Sequence, residues 1–267
     1  MSLMHRLYFM RTHQLTRPDG RAFKLKTYTP KINPLGLVLI SPGAGGSENS
    51  YWYLADYFSN QGYLVGVMEH LESNLESLRA HTKHQGLKKG LMEMVTDPLS
   101  FWGRMMEIQE VLNWADGAVS GPKILVGHSM GAATVMMEAG AKNKLNCLGK
   151  DRFDAYIALS PQGPGLIFPE GAWVGLNKPM LLITGTKDHE LDGDWTSRLL
   201  PFENMNPGTQ KWLGVIQDAD HMSLAGVGLS REPEGCVLEL VGLFFKKNIG
   251  LKENKTPLLE KIKLTIK

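Results

Sequence analysis

The chain of 267 residues carries 29 lysines and arginines against 27 acidic residues, a formal charge of +2. That balance lacks the basic excess of a phosphate-neutralising surface, which argues against nucleic acid as a partner. With 43% hydrophobic residues the composition is ordinary for a globular protein, and the length suits one α/β unit, so a single domain over residues 1–267 is expected.

Residues 7–16 and 22–28 flank the turn Arg-Pro-Asp-Gly and predict an antiparallel hairpin at the start. Residues 35–41 (LGLVLIS) form a continuous apolar run ending in Pro-Gly-Ala-Gly-Gly, the pattern of a strand buried on both faces. Tyr51, Leu54, Ala55 and Phe58 then recur at helical spacing, Gly62 closes that helix, and residues 63–68 supply the next strand. Residues 70–98 are rich in Glu, Lys and His without a sustained period, and are expected to be irregular. Phe101, Met105, Ile108, Leu112 and Ala115 mark a second helix.

The strand at residues 123–127 runs directly into Ser129 and a helix over residues 132–141. Strands follow at 155–159, 180–184 and 211–216, and a helix at 233–247. Residues 160–176 are crowded with Gly and Pro, and the lysine-rich stretch 246–267 reads as a solvated helix and tail. Alternating βα units with buried strands imply an α/β fold, a mostly parallel twisted sheet of about eight strands with helices on both faces. Segments 70–98 and 160–176 both follow strands and so emerge at the carboxyl edge of the sheet, over the expected active site.

Cys147 and Cys236 are too few for a disulfide framework and lack ligand-spaced partners, so both are expected as small buried side chains. His81 and His84 form a lone H-x-x-H, better read as surface histidines than as a metal site. No apolar run reaches the roughly 18 residues of a membrane span. The N-terminal stretch is too interrupted by charge for a secretory signal, and a cytoplasmic location is expected.

Gly127-His128-Ser129-Met130-Gly131 matches G-x-S-x-G between an apolar strand and an Ala-rich helix. That context describes a sharp strand-to-helix turn that lifts a serine hydroxyl clear, with glycines where a Cβ would clash. A serine hydroxyl needs a base and an orienting carboxylate, in the chain order Ser, acid, His. Downstream of Ser129 only His189 and His221 are available. His221 after the last strand is the expected base, and Asp188 after the strand at 180–184 the expected acid. His189 is the alternative base, and Asp192 and Asp194 the alternative acids; Asp218 and Asp220 are expected to shape the turn before His221. The backbone N–H groups of Met130 and Ala44 are the expected oxyanion donors. Met92, Met94, Phe101, Trp102 and Trp173 could equally line an acyl pocket or pack the core.

These motifs resemble those of the α/β-hydrolase superfamily, and specifically its dienelactone-hydrolase-like branch, which is similar to platelet-activating-factor acetylhydrolases and cutinase-like polyester hydrolases. The resemblance runs from the strand at 35–41 to the final helix. It rests on Ser-Pro-Gly-Ala-Gly-Gly from Ser41, Gly-His-Ser-Met-Gly from Gly127 and Ser-Pro-Gln-Gly-Pro-Gly from Ser160. Gly-Thr-Lys-Asp ending at Asp188 and Asp-Ala-Asp-His ending at His221 complete it. The chain departs from true dienelactone hydrolases in having Ser129 where they use a cysteine. It also has Pro42 where many esterases carry a histidine. The resemblance implies cleavage of small-molecule carboxylic esters of small or medium acyl length by a cofactor-free acyl-enzyme route. Acyl transfer, thioester or amide hydrolysis, and a non-catalytic ligand receptor are the alternatives.

Overall fold

Burial on both faces decides the central strands. In the computed structural model, which describes residues 7–191, 193–208, 210–249 and 259–267, β3 (Leu37–Ser41), β4 (Leu64–Met68) and β6 (Ala155–Leu159) are buried throughout. β5 (Lys123–His128) is buried from Ile124 onward. Successive side chains serve opposite faces: Leu37, Leu39 and Leu125 pack into one core, whereas Val38, Ile40, Ile124 and Val126 pack into the other. A sheet sealed on both faces needs helices on both, and the chain supplies them. α4 (Pro98–Ala115) and α5 (Met130–Glu138) send Phe101, Ile108, Ala133 and Met137 into the first core. α1 (Trp52–Asn60) and α8 (Glu232–Asn248) send Leu54, Phe58, Val237 and Phe244 into the second. Each fully buried side chain of this size contributes about 1.5–3 kcal/mol.

With β1 (Tyr8–Thr16), β2 (Ala22–Pro30), β7 (Met180–Lys187), β8 (Lys211–Asp220) and β9 (Ile262–Ile266), the described residues form one nine-stranded sheet in the order β1-β2-β4-β3-β5-β6-β7-β8-β9. The run from β4 to β8 is parallel; β1, β2 and β9 join antiparallel. The N-terminal hairpin lies where the sequence puts it. Strand order reverses at β3, which has β4 on one side and β5 on the other. At such a switch point the connections diverge to opposite faces and leave a crevice at the carboxyl ends of the strands.

Three expectations are corrected. Among the described residues the sheet has nine strands, where about eight were expected. Residues 70–98 are not irregular: a 3-10 turn (Leu71–Ser73) leads into α2 (Leu75–Thr82) and α3 (Leu87–Thr96). Their apolar positions are few and only partly covered: Leu78 of α2 and Leu91 of α3 pack half-buried against the core, and only Met94 and Val95 of α3 are buried apolar side chains, so the helical spacing is short in each. The C-terminal stretch is not all solvated tail. Ile262–Ile266 pairs with β8, Ile262 is buried, and the Lys261 ammonium lies 2.7 Å from Glu232. Residues 250–258 of that stretch lie outside the described residues. Cys147 and Cys236 are free thiols, both buried, and among the described residues no helix is long and apolar enough to cross a membrane.

Candidate active site

β5 ends one residue before Ser129, which stands at φ 55, ψ −120 as the N-cap of α5. For a residue with a Cβ that conformation costs on the order of 1–3 kcal/mol and persists only where its surroundings enforce it. They do so through the flanking glycines. A Cβ on Gly127 would meet the Gly131 carbonyl oxygen at 2.2 Å, and one on Gly131 would meet the Ser41 oxygen at 1.9 Å. The Ser129 N–H donates to the Leu159 carbonyl oxygen at 3.0 Å, which ties the turn to β6. The hydroxyl is left half-exposed at the switch point.

Two further strands deliver their side chains to the same place. β8 runs on to Asp220, so His221 is the first residue of a one-turn helix, α7 (His221–Leu224), instead of lying in a loop. Asp220 caps that helix: its carboxylate accepts from Ser223 N–H at 2.8 Å while Ser223 Oγ accepts from Asp220 N–H at 2.9 Å. His221 Nε2 lies 2.9 Å from Ser129 Oγ, and Nδ1 lies 2.8 Å from Asp188 Oδ1. Asp188 follows β7 and is fully buried, with its second oxygen accepting from Thr184 Oγ1 at 2.9 Å. Burial pushes the Asp188 carboxyl upward, but the His221 hydrogen bond and the Arg198 charge outweigh it and hold the group below its ordinary value. Ser129, His221 and Asp188 thus form one hydrogen-bonded line, and Asp218 instead pairs with Lys187 at 2.7 Å.

The Gly-rich loop after β3 packs directly on Ser129; a Cβ on Gly43 would come within 3.2 Å of the Ser129 Cβ. Its neighbours along the loop are engaged: Gly43 N–H donates to Tyr51 Oη at 3.1 Å and Gly45 N–H to Ser73 O at 2.8 Å. Among the described residues neither the Ala44 N–H nor the Met130 N–H has a hydrogen-bond acceptor. Beside the serine opens a cleft of about 750 Å³, with apolar walls from Leu91 and Val95 of α3 and from Leu166, Ile167 and Leu191. Lys144 and Glu190 are among its polar lining residues.

The alternative site residues fall elsewhere. His189 is on the cleft rim, exposed and 3.3 Å from Asp194, which itself caps the turn Trp195–Leu199. Asp192 lies outside the described residues. Met94, Phe101 and Trp173 are core residues, Trp102 is exposed, and with Met92 none of them lines the cleft. His81 is half-buried, 2.8 Å from the Ser77 carbonyl, and His84 is exposed. Sequence reasoning missed Arg198, which is buried beside Asp188. Its Nε lies 3.1 Å from the carboxylate, and the guanidinium donates to the carbonyls of Asp188, Ser160, Pro161 and His189. An arginine in Trp-Thr-Ser-Arg-Leu has no motif to announce it.

No family model matches the sequence. A "Monoglyceride lipase homolog" of Monkeypox virus is 29% identical to it over 152 residues, which are 57% of this chain and 48% of that protein. The match therefore spans about half the length of the curated relative.

Proposed function

We propose that this protein is a serine hydrolase of the α/β-hydrolase class that cleaves carboxylic esters through an acyl-enzyme. The observation that carries the reading is the continuous line Ser129 Oγ, His221 Nε2, His221 Nδ1, Asp188 Oδ1, at 2.9 and 2.8 Å. Ser129 attacks the ester carbonyl as His221 Nε2 takes its proton. Asp188, kept ionised, fixes the Nδ1–H tautomer and stabilises the imidazolium. The N–H groups of Ala44 and Met130, unengaged among the described residues, hold the oxyanion, each worth about 3–4 kcal/mol of barrier. The imidazolium then protonates the leaving alcohol, and water attacks the acyl-enzyme by the same sequence.

The nine-stranded sheet with its site at the switch point and the viral lipase relative both support this class. The motifs at residues 41–46 and 160–165 favour the dienelactone-hydrolase-like branch within it, while the relative's name favours glyceryl esters. The cleft volume is that of pockets for drug-sized ligands and leaves room for a medium acyl chain under either reading.

A fluorophosphonate probe is expected to label the protein at Ser129, and Ser129→Ala should remove both the label and p-nitrophenyl butyrate hydrolysis, by about 10⁴-fold or more. Turnover retained in Ser129→Ala overturns the assignment. Comparing p-nitrophenyl esters, monoacylglycerols and thioesters then separates the substrate readings.

A further inference from the structure

The central motif contains a histidine of its own, and its side chain does not line the cleft. His128 is buried to 4% exposure, directly before Ser129. Its Nδ1 lies 3.0 Å from Tyr51 Oη and its Nε2 lies 3.0 Å from the carbonyl oxygen of His221. Tyr51 is also buried, and its Oη accepts the Gly43 N–H at 3.1 Å.

These three contacts fix every proton. A carbonyl oxygen can only accept, so His128 Nε2 carries hydrogen and donates to His221 O. In the neutral ring Nδ1 is then bare, and it accepts from the Tyr51 hydroxyl. That leaves a Tyr51 Oη lone pair for the Gly43 N–H. The result is one directed path: Gly43 N–H to Tyr51, Tyr51 O–H to His128, His128 N–H to the backbone of His221. Burial, then the neighbouring His221, hold the His128 imidazole well below its ordinary pKa, and burial pushes the Tyr51 phenol up to about 12. Both groups therefore keep the forms this path needs. A second cation, 4.6 Å between ring centroids from His221, would also oppose the imidazolium that the reaction generates.

The two ends of the path are the parts of the site that must be in register. Gly43 supplies the carbonyl half of the peptide group whose N–H is that of Ala44, the expected oxyanion donor. His221 carries the base. Each sits on a separate connection, one after β3 and one after β8, with no sequence continuity to fix their spacing. Resting on the reading of Ser129 and His221 above, we propose that Tyr51 and His128 are positioning residues that lock the oxyanion loop to the catalytic base.

The test uses Tyr51→Phe, which keeps the ring and removes the hydroxyl, and His128→Leu, which removes both ring nitrogens. His128→Gln retains one acceptor and one donor. On p-nitrophenyl butyrate, Tyr51→Phe and His128→Leu are expected to lower kcat about 10- to 100-fold with KM changed less than about threefold. Inhibition by a phenylboronic acid, which mimics the tetrahedral intermediate, should weaken in parallel. His128→Gln should recover most of the loss. The Tyr51→Phe/His128→Leu double variant should be little worse than the poorer single, because both cut one path.

Folding is checked by thermal unfolding of each variant, and Tyr51→Phe keeps the buried volume if a His128 variant fails to fold. Single variants with unaltered kcat, losses confined to KM, no rescue by Gln, or additive losses each overturn the proposal while the serine reading stands. A wild-type protein that neither hydrolyses the ester nor takes a fluorophosphonate overturns the reading and this proposal together.

Discussion

Arg198 shows how one unannounced residue sets the chemistry of another. Its guanidinium is almost wholly buried against Asp188 and four carbonyl oxygens. Burial alone would push this carboxylate toward its protonated form; the His221 hydrogen bond and then the adjacent Arg198 charge together prevent this. The Asp188 carboxyl is held below its ordinary value, so its ionised form adds stability above the unfolded-state pKa, and that stability is lost as pH falls through the folded value. Replacing Arg198 with Met raises the folded value and moves the loss upward. The acid-unfolding midpoint of Arg198→Met, followed by tryptophan fluorescence, is expected to lie at higher pH than that of the wild type. An unchanged midpoint would separate Arg198 from Asp188. That Ser129, Asp188 and His221 would meet could be read from the sequence because the proposed nucleophile, acid and base follow a motif and a chain order. Arg198 could not, because charge placed by folding has no spacing rule. Tyr51 was legible only as one apolar position of a helix, since an aromatic ring at that spacing reads as core whether or not its hydroxyl is used.

At the scale of elements, α4 does more than cover the sheet. Phe101, Met105 and Ile108 made it readable as a helix, yet Ser100, Arg104 and Glu107 between them are fully buried too. Arg104 donates to Pro42 O at 2.8 Å and to Ser73 Oγ at 2.7 Å. Glu107 lies 2.5 Å from His70 Nδ1, and His70 Nε2 lies 2.8 Å from Ser41 Oγ. The polar face thus anchors the residues on either side of the Gly-rich loop from behind. Burial pushes the Glu107 carboxyl from 4.5 up to about 8, despite the Leu71 N–H and the Arg17 charge. Arg17 does not reverse this, since its guanidinium is shared with Asp19 and Glu72. Between those two pH values the folded protein keeps a proton that the unfolded chain has lost, so stability falls as pH rises, by at most about 1.4 kcal/mol per unit. Glu107→Gln has no such proton and should gain on the wild type between pH 6 and pH 8.5 in urea unfolding. Glu107→Leu, which leaves the Leu71 N–H and His70 Nδ1 without their partner, should lose about 1–3 kcal/mol at either pH. Equal pH slopes in wild type and Gln variant would place the ionised carboxylate in the folded state. The strands of the parallel run were legible because both their faces are buried. β9 was not: Ile262, Leu264 and Ile266 do alternate with Lys263 and Thr265, but only Ile262 is buried and the surrounding lysines made the stretch read as a solvated tail. The α2–α3 pair was not legible because each helix lays only a short, largely half-buried apolar face on the core.

Taken as a whole, the molecule brings the ends of β3, β5, β7 and β8 to one edge and then roofs that edge with its least anchored parts. No residue of α2 is fully buried, with Leu78 packing half-buried against the core, and α3 touches the core mainly through Leu91, Met94 and Val95. Elements with so little buried surface open at low free-energy cost, whereas Ser129 and Asp188 stand on strands that do not. Under the proposed function the division gives different work to the two layers: the sheet would fix the reacting groups, and the roof would size what reaches them. Leu91 tests this because it is half-buried on α3, lines the cleft, and belongs to neither the hydrogen-bonded line nor the loop. Leu91→Trp narrows the apolar wall without touching the chemistry. If the acyl chain lies along that wall, kcat/KM for p-nitrophenyl octanoate should fall about tenfold or more, while p-nitrophenyl acetate stays within about twofold, as expected when one pocket contact worth about 1–3 kcal/mol is lost. An equal fall on both esters would mean that the roof shapes the site itself. No change on either would put the acyl chain on the opposite side of Ser129, away from α3.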